Sequence, residues 1–455
     1  LTSISAYRDW SQNGRGDNDQ LPVDVLGFIQ GGKSDQDQFS QELRLTSPGD
    51  QFISYVAGLY YFDQTVDRKF DRSFDVTGTD RTEAIADFSV DSLNYAAFGE
   101  AVTHFSERWR LVTGLRWTHD DIKFDFERIG STLGANPEPY FKRDNNESAW
   151  SGKIALEWNV TDDAMTYASY SQGYKGPAFN VGFGSTPANT DPVDPETSEA
   201  FELGLKSSWF ENRLIFNVAI FHTTFDDFQA TASEFTPNLD DNGNPIDENG
   251  DGFDDGVFSF VLSNVGKVKT QGVEIDFTAL PMENLTLSGG MAYVDAQIEE
   301  FEGAGCTFGQ SFRGVGYKGQ TSCGNAPATQ DLGGGVLPAT PEWKFTLAAS
   351  YLIPLTSIPF DLEINGNYRY QDKVQYVIEQ DIYTTQDGYG ILDLSLVALD
   401  HSDHYTVTLF TKNVFDDWYL TSVNAFATTF TPNGYGHQVP RYAERTFGVE
   451  ARYRW

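Results

Sequence analysis

The chain ends with Arg441-Tyr-Ala-Glu-Arg-Thr-Phe-Gly-Val-Glu-Ala-Arg-Tyr-Arg-Trp455, in which apolar and polar side chains alternate from Thr446 onward. Side chains on a β-strand point alternately to opposite faces, so this pattern predicts a strand with one apolar and one polar face. An open sheet edge at such a strand is removed when the sheet closes into a barrel. In an outer membrane, lipid contacts the apolar face and the polar face lines the lumen. The segment therefore predicts a transmembrane barrel.

The same alternation recurs along the chain, for example at residues 109–118, 273–279, 344–351 and 361–370. Every second connection is tight, at residues 47–50, 106–108, 161–163, 211–213, 281–284 and 401–403. The connections between them are long and polar, at residues 12–37, 67–87, 130–146, 182–196, 236–256 and 303–339. Short turns at one rim and long loops at the other are typical of outer-membrane barrels. We therefore expect an all-β transmembrane antiparallel barrel with about sixteen strands in this chain, and no helix.

Composition is compatible with a barrel and argues against several other classes of protein. The 455 residues include no run of about 18 apolar residues, so no transmembrane helix is expected. A barrel needs an apolar side chain only at every second position, and a hydrophobic content of 40% allows that. The net charge of −35 argues against nucleic acid as a partner. The histidines are scattered and no catalytic motif is present, so we do not expect an enzyme.

Both cysteines, Cys306 and Cys323, lie in one glycine-rich segment. Two cysteines this close, with flexible turns around them, predict a disulfide that closes a loop. A disulfide in turn implies an oxidising compartment. The alternative is a pair of free thiols.

An acidic segment between two predicted strands has the pattern of a calcium-binding loop. Residues 247–255 fit D-x-N-x-D-G followed by an acidic residue, which supplies oxygen ligands and a sharp turn for Ca²⁺. The bidentate glutamate of an EF-hand is missing, since Phe258 occupies its position. The alternative is a solvated acidic loop rich in Asx turns. The predicted ligands are Asp247, Asn249, Asp251, the carbonyl of Phe253, and Asp255, with Asp240 and Asn242 from a half-repeat upstream.

Four segments together resemble one protein family. They are residues 39–47, the segment Tyr-Ser-Gln-Gly-Tyr-Lys-Gly-Pro-Ala-Phe-Asn at 170–180, the segment Asn-Val-Phe-Asp-Asp-Trp-Tyr at 413–419, and the closing strand with Gly448 and Trp455. In their order and spacing the chain resembles the TonB-dependent outer-membrane receptors over essentially its whole length. The resemblance implies the later part of a barrel of about 22 strands around a plugged lumen.

The resemblance also implies a domain organisation and a function. Residues 1–455 would form a single barrel domain, with a plug domain, a TonB-contacting segment and about six strands expected upstream. Such a receptor takes up a scarce small-molecule ligand with energy from proton-motive force through the TonB–ExbB–ExbD complex. It lies among outer-membrane lipid and lipopolysaccharide. Siderophore, cobalamin, saccharide and peptide all remain open as the ligand.

Two classes of alternative remain beside the energised receptor. The main one is a passive porin-type channel, which the composition allows and the family segments disfavour. The second is a barrel-embedded hydrolase or a soluble adhesin built on a β-sandwich. The hydrolase lacks a catalytic set, and a sandwich does not explain why short and long connections alternate.

The family segments and the strand alternation predict roles for three groups of side chains. We expect membrane-interface anchors at Tyr170, Tyr174, Phe179, Phe415, Trp418, Tyr419 and Trp455. Aromatic residues farther out are candidates for stacking on a ligand: Phe426, Phe430, Tyr435 and His437. Polar residues expected to face the lumen and to pack against a plug are Arg110, Arg116, Lys153, Glu157, Asp361, Glu363, Arg369, Arg452 and Arg454.

Overall fold

A computed structural model describes residues 1–17, 29–49, 51–74, 82–132, 136–187, 189–237, 256–324, 328–428 and 431–455. In chain order its strands are β1 (Thr2–Asp17), β2 (Ile29–Thr46), β3 (Ile53–Phe74), β4 (Thr82–His104), β5 (Trp109–Ser131), β6 (Glu138–Thr161), β7 (Ala164–Lys175), β8 (Glu196–Trp209), β9 (Leu214–Pro237), β10 (Gly256–Met282), β11 (Leu285–Glu300), β12 (Ala304–Gly305), β13 (Thr329–Gln330), β14 (Trp343–Ile353), β15 (Phe360–Gln371), β16 (Val374–Gln375), β17 (Thr385–Gln386), β18 (Tyr389–Asp400), β19 (Tyr405–Lys412), β20 (Ser422–Thr428), β21 (Thr431–Gln438) and β22 (Thr446–Tyr453).

Sixteen of these strands form one antiparallel sheet, in which each strand pairs with the next member of that sheet along the chain. The remaining strands form three two-stranded ladders, β12 with β13, β16 with β17 and β20 with β21. Within the described residues, β1 and β22 each have one neighbour in the sheet. The expected antiparallel barrel wall of about sixteen strands is confirmed, and a total of about 22 strands stays a prediction.

The connections alternate between the two rims of the sheet as the sequence predicts. At one rim β6 joins β7 through residues 162–163, and β10 joins β11 through residues 283–284. Asn284 supplies the left-handed backbone of the second turn, with φ of 62°. At the opposite rim the links are long, and four of them lie largely within the described residues, at 176–195, 301–342, 372–388 and 413–445. We call the second rim the long-loop rim.

Several strands continue into segments that the sequence assigns to loops. Strand β3 has 22 residues and β10 has 27, whereas about 9–11 residues are enough to cross a membrane. The expected loops at 12–37, 67–87 and 130–146 are therefore partly strand, because β1, β3 and β5 extend into them. Beyond the membrane both faces of a strand meet water, and pairing of the backbone needs no apolar face there. The alternation of apolar and polar side chains therefore fades, while the hydrogen bonds between strands continue.

The outer face of the sheet carries large apolar side chains that protein leaves uncovered. Trp109 and Leu115 of β5 are 38% and 57% exposed, and Phe447 of β22 is 72% exposed. Others on this face are Leu59, Ile154, Phe201, Leu203, Ile220, Leu347, Ile364, Leu409 and Val449. An apolar surface of this extent is far larger than a water-soluble monomer exposes, and it suits lipid. The opposite, inner face is the one on which the long loops lie.

One helix interrupts the long link from β11 to β14, contrary to the expectation of none. Helix α1 (Phe308–Arg313) begins with a capping box between Thr307 and Gln310, and Gly314 ends it with φ of 67°. Two short 3-10 turns follow, at Tyr317–Gly319 and Ser322–Gly324. A helix of six residues is too short to show a hydrophobic period. No helix in the described part of the chain is long and apolar enough to cross a membrane.

Candidate functional site at the long-loop rim

Link 176–195 is held on the inner face of the wall by a cluster of aromatic side chains. We define the phenylalanine cluster as Ala84, Ala86, Phe88, Phe124, Phe126, Phe179 and Phe183. Phe126 is fully buried on β5, and Phe179 from the link lies 5.9 Å from the Phe124 ring, between centroids. Burial of apolar surface therefore fixes this link above the lumen.

Two arginines border the phenylalanine cluster. Arg128, which is 4% exposed, donates from Nε to the carbonyl of Asn136 at 2.6 Å and from Nη1 to the carbonyl of Phe183 at 2.6 Å. The guanidinium of Arg72 lies 4.3 Å from the centre of the Phe183 ring. Burial lowers the pKa of both arginines, and the charge of Arg128 adds to this for Arg72, whose pKa falls to about 10. Both remain cationic at neutral pH, and Arg128 ties the link to the wall.

The disulfide predicted from the sequence is present in the long link from β11 to β14. Cys306 and Cys323 are 0% and 1% exposed, and their Cα atoms are 5.8 Å apart. We call residues 301–342 the disulfide loop. Its buried Leu332 packs with Val265 of β10 and with Ile378 of the neighbouring link 372–388. The loop thus has an apolar base on the wall and a covalent staple above it.

A buried carboxylate joins the disulfide loop to two other segments. Asp381, which is 0% exposed, belongs to link 372–388. It accepts hydrogen bonds from Thr307 Oγ1 at 2.7 Å, Arg313 Nη2 at 2.9 Å and Tyr435 OH at 2.9 Å. The backbone N–H of Tyr383 is a fourth donor, at 3.1 Å. We call Thr307, Arg313, Asp381, Tyr383 and Tyr435 the Asp381 cluster, and three segments of the long-loop rim meet in it.

The charges in the Asp381 cluster stabilise each other. Burial by itself would lower the pKa of Arg313, but the hydrogen bond to Tyr435 and the charge of Asp381 outweigh it and raise the pKa. Burial is the largest cause that raises the pKa of Tyr435 to about 12, so its hydroxyl stays protonated and can donate to Asp381. Arg313 lies 4.8 Å from the centre of the Tyr383 ring, and Tyr383 is 55% exposed. The cluster therefore turns an aromatic surface outward above a neutralised ion pair.

A series of contacts connects link 372–388 with the inner face of the wall. Tyr376 OH donates to the carbonyl of Leu420 at 2.6 Å, and the rings of Tyr419 and Tyr389 stack at 4.4 Å. Tyr419 OH lies 3.4 Å from Arg369 Nη2 on β15. On the neighbouring strand, Asp393 pairs with Arg369 at 3.9 Å and Lys412 at 3.3 Å.

Other polar side chains of the inner face also pair across strands. Arg110 pairs with Glu157 at 2.8 Å and Lys153 with Glu100 at 3.3 Å, while Arg116 lies over the Tyr60 ring at 5.6 Å. These residues share the inner face, as alternation predicts. Packing of this face against a plug stays a prediction.

A family model described as "TonB dependent receptor-like, beta-barrel" matches residues 2–414 of the chain. The chain belongs to this family. Members lie in the bacterial outer membrane, which confirms the expected location. The apolar outer face therefore faces lipid, and the long-loop rim of this receptor barrel is its outer mouth.

Curated proteins that are similar in sequence include a probable siderophore receptor and a pesticin receptor. The chain is 23% identical over 299 residues to the "Probable TonB-dependent siderophore receptor PiuA" of Acinetobacter baumannii, covering 65% of this chain and 33% of that protein. It is 25% identical over 237 residues to the "Pesticin receptor" of Yersinia pestis, covering 52% and 30%. The matches thus span about a third of the length of these curated relatives.

Solved structures support the same fold. The ferric yersiniabactin uptake receptor FyuA from Yersinia pestis aligns with a TM-score of 0.71 at 20% identity, covering 99% of this chain and 58% of that one. The siderophore receptor PiuA from Acinetobacter baumannii aligns with a TM-score of 0.70 at 17% identity, covering 99% and 61%. At these identities the likeness concerns the fold alone.

The receptor barrel places its expected interface aromatics in different environments. Tyr170 lies on the outer face and packs on Phe201 at 4.8 Å. Phe415 and Trp418 are 57% and 53% exposed, and Trp455 is fully exposed. Anchoring at the membrane interface stays a prediction for these four residues.

The expectation is wrong for three of the interface aromatics. Phe179 is 5% exposed inside the phenylalanine cluster, and Tyr419 is 7% exposed against Tyr389. Tyr174 donates from its hydroxyl to Asp120 Oδ2 at 3.1 Å, toward the inner face. For Tyr174 and Phe179 the reason is that β7 pairs with β6 only as far as Gln172, after which the chain turns inward over the mouth. Tyr419 belongs to link 413–445, where its ring stacks on Tyr389 instead.

Of the ring residues expected to meet a ligand, Tyr435 lies in the Asp381 cluster and His437 lies on β21 opposite Val423. Phe426 belongs to β20, and Phe430 is outside the described residues. Contact of these rings with a ligand stays a prediction.

The calcium site predicted for residues 240–255 belongs to the link between β9 and β10. Its residues, Asp240, Asn242, Asp247, Asn249, Asp251, Phe253 and Asp255, lie outside the described residues. Elsewhere in the described chain, no group of three or more His, Cys, Asp or Glu side chains is arranged to hold a metal ion. Calcium binding stays a prediction.

Sequence reasoning overlooked the residues of the Asp381 cluster other than Tyr435. The segment Thr307-Phe-Gly-Gln310 carries a capping-box signal that was sufficient to predict the start of α1. Nothing in the sequence distinguishes Asp381 from the many other acidic residues of the long links. Its role depends on two donors that are 68 and 54 positions away along the chain.

Proposed function

We propose that this barrel is part of an outer-membrane transporter that captures a scarce metal chelate of the siderophore type. Uptake is driven by proton-motive force through the TonB–ExbB–ExbD complex. The name of one relative supports the choice of ligand class, since it is a probable TonB-dependent siderophore receptor. A plug domain and further strands outside residues 1–455 are part of the proposal.

The observation that carries the proposal is the organised outer mouth. Three segments from separate links meet at Asp381, and the disulfide loop also packs on the wall through Leu332. A passive pore is served by an open mouth, whereas a receptor benefits from a surface that is ordered before the ligand arrives. The organised outer mouth therefore favours the receptor over the passive porin.

The exposed chemistry of the mouth suits a ligand with flat, partly apolar groups. Phe312 and Tyr383 are 46% and 55% exposed at the rim. Beside Tyr383, the Arg313 guanidinium keeps further N–H groups beyond the two that bond Asp381 and Tyr435. Rings for stacking with a few directed polar groups are the usual composition of a small-molecule site.

The test is uptake by cells that carry the complete protein in their own outer membrane. Cells with and without the receptor are offered radioactive iron as catecholate, hydroxamate and citrate chelates, and labelled cobalamin. We expect one chelate class to accumulate only in cells that have the receptor, and a protonophore to abolish the accumulation. Entry that survives the protonophore and depends only on solute size would instead establish a passive channel.

A further inference from the structure

We infer that Asp381 is the positioning residue of the ligand-facing rim. Its carboxylate holds Arg313 and Tyr435, which belong to two other loops, in the place where they flank the exposed ring of Tyr383. The part of this inference that concerns a ligand rests on the proposed function. The part that concerns contacts between the loops rests on the geometry alone. Asp381 itself is too deeply buried to touch a ligand, so it acts through its neighbours.

The hydrogen bonds of Asp381 use both carboxylate oxygens. Oδ1 accepts from Arg313 Nη2 and the N–H of Tyr383, and Oδ2 accepts from Thr307 Oγ1 and Tyr435 OH. A buried ionised carboxylate is tolerated only when it is paired and hydrogen-bonded, and charge-assisted bonds are about twice as strong as neutral ones. The four donors meet that requirement together, so displacement of any one segment leaves a buried charge less satisfied.

The neighbours of Asp381 are in turn connected to each other. Arg313 Nη1 donates to Tyr435 OH at 2.7 Å, which closes a triangle of hydrogen bonds with Asp381. Thr307 Oγ1 accepts from the N–H of Gln310 at 3.1 Å while it donates its single proton to Asp381. Asp381 therefore bonds directly to the cap of α1, whose other end carries Arg313.

The barrel wall does not depend on this carboxylate. Asp381 lies at the tip of the short ladder that β16 forms with β17, and neither strand belongs to the sixteen-stranded sheet. Link 372–388 is tied to the rim separately, through Tyr376 and Gln386, which bond Leu420. Substitution of Asp381 is thus expected to disorder the rim and to leave the wall folded.

The experiment compares the complete wild-type receptor with the Asp381→Asn variant in purified outer membranes. Asparagine has the same shape but no charge, and its amide nitrogen cannot accept a hydrogen bond. We expect the affinity for the transported chelate to fall about tenfold or more, which corresponds to the loss of at least one charged hydrogen bond. Hydrogen exchange is expected to rise together in residues 301–324, 372–388 and 431–438, with the exchange of β14 and β15 unchanged.

A double substitution separates positioning from a general loss of stability. Arg313→Gln is expected to reduce affinity as Asp381→Asn does, and the combined variant is expected to lose little more than either single variant. The matched control is Asp331→Asn, because Asp331 is an exposed carboxylate of the disulfide loop that accepts from the N–H of Gly333 at 2.8 Å. The control is expected to keep its affinity within about twofold and to change exchange only locally.

Two results would overturn the inference. One is exchange that rises in residues 372–388 alone, since the carboxylate would then not hold the other two loops. The other is an unchanged affinity for the chelate in Asp381→Asn. If wild-type receptor binds none of the chelates, the proposed function itself fails together with the ligand role of Asp381. The exchange measurement needs no ligand and still decides whether Asp381 holds the three loops.

Discussion

The phenylalanine cluster and the Asp381 cluster both fix long links over the inner face, but by opposite physical means. In the first, rings of the link and of the wall bury apolar surface, and contact is spread over seven side chains. In the second, a single carboxylate receives four directed hydrogen bonds. Apolar packing is non-directional and redundant, whereas a buried polar network fails when one member is lost. The outer mouth therefore combines a robust apolar cluster with a polar cluster that depends on exact partners.

The largest expected effect is a cavity in the phenylalanine cluster. Phe126 is fully buried and lies 5.5 Å from Phe141 and 6.0 Å from Phe88, between ring centroids. Phe126→Ala is expected to reduce the local stability of the outer half of β5 and of link 176–195 by about 3–5 kcal/mol. Hydrogen exchange of the receptor measures it, with Phe105→Ala in an exposed short turn as the control. Equal exchange in the two variants would show that the cluster does not hold the link.

Removal of the disulfide is expected to have the next largest effect, on the other cluster. Cys306 and Cys323 are 17 positions apart, and a staple of this length contributes about 3 kcal/mol. Cys306→Ser with Cys323→Ser is expected to raise exchange in the disulfide loop and around Asp381, because α1 follows Cys306 directly. The phenylalanine cluster serves as the internal control and is expected to be unchanged. A rise on both sides of the mouth would mean that the two clusters are not independent.

A smaller change is expected from loss of one hydroxyl. Tyr435→Phe keeps the ring and removes the group that bonds both Arg313 and Asp381. A hydrogen bond to a charged group contributes about 1.5–3 kcal/mol, so opening of hairpin β20–β21 is expected to increase by about tenfold or more. Tyr442→Phe, on an exposed ring outside the cluster, is the control for hydroxyl loss. Identical opening in the two variants would show that the Tyr435 hydroxyl does not hold the hairpin to the Asp381 cluster.

The smallest effect concerns pH at the opposite rim. The N–H of Leu355 first, and His401 at 3.0 Å second, hold the pKa of Asp361 below its usual value. A lowered folded pKa means that the contribution to stability is present above the unfolded pKa of about 3.9 and is lost as the pH falls through the folded value. After correction for the intrinsic pH dependence of amide exchange, the protection of residues 354–361 is thus expected to fall on acidification below about pH 4, and Asp361→Asn is expected to remove this fall. The phenylalanine cluster is expected to show no such dependence, and an equal response there would point to global acid unfolding instead.

Prediction from sequence succeeded where short-range chemistry decides the structure. The alternation of residues 446–455 corresponds to β22 with Phe447 and Val449 on the exposed outer face. The tight turns separate the strands as expected, and Cys306 with Cys323 forms the staple. Prediction failed for Phe179 and Tyr419, because the aromatic pattern of an interface anchor and that of a buried ring are the same in sequence.

By itself the sequence determined that the chain forms an all-β antiparallel barrel wall with one apolar and one polar face. It also determined the short-turn rim, the long-loop rim and the family of the chain. Each of these depends on periods of two residues, on turn chemistry or on short segments, which act between near neighbours along the chain. Only the tertiary structure decided how far the strands extend, which aromatic residues turn inward, and that Asp381 meets Thr307, Arg313 and Tyr435. Those contacts join residues more than fifty positions apart, and no local pattern records which of many acidic loop residues will be buried with the right donors.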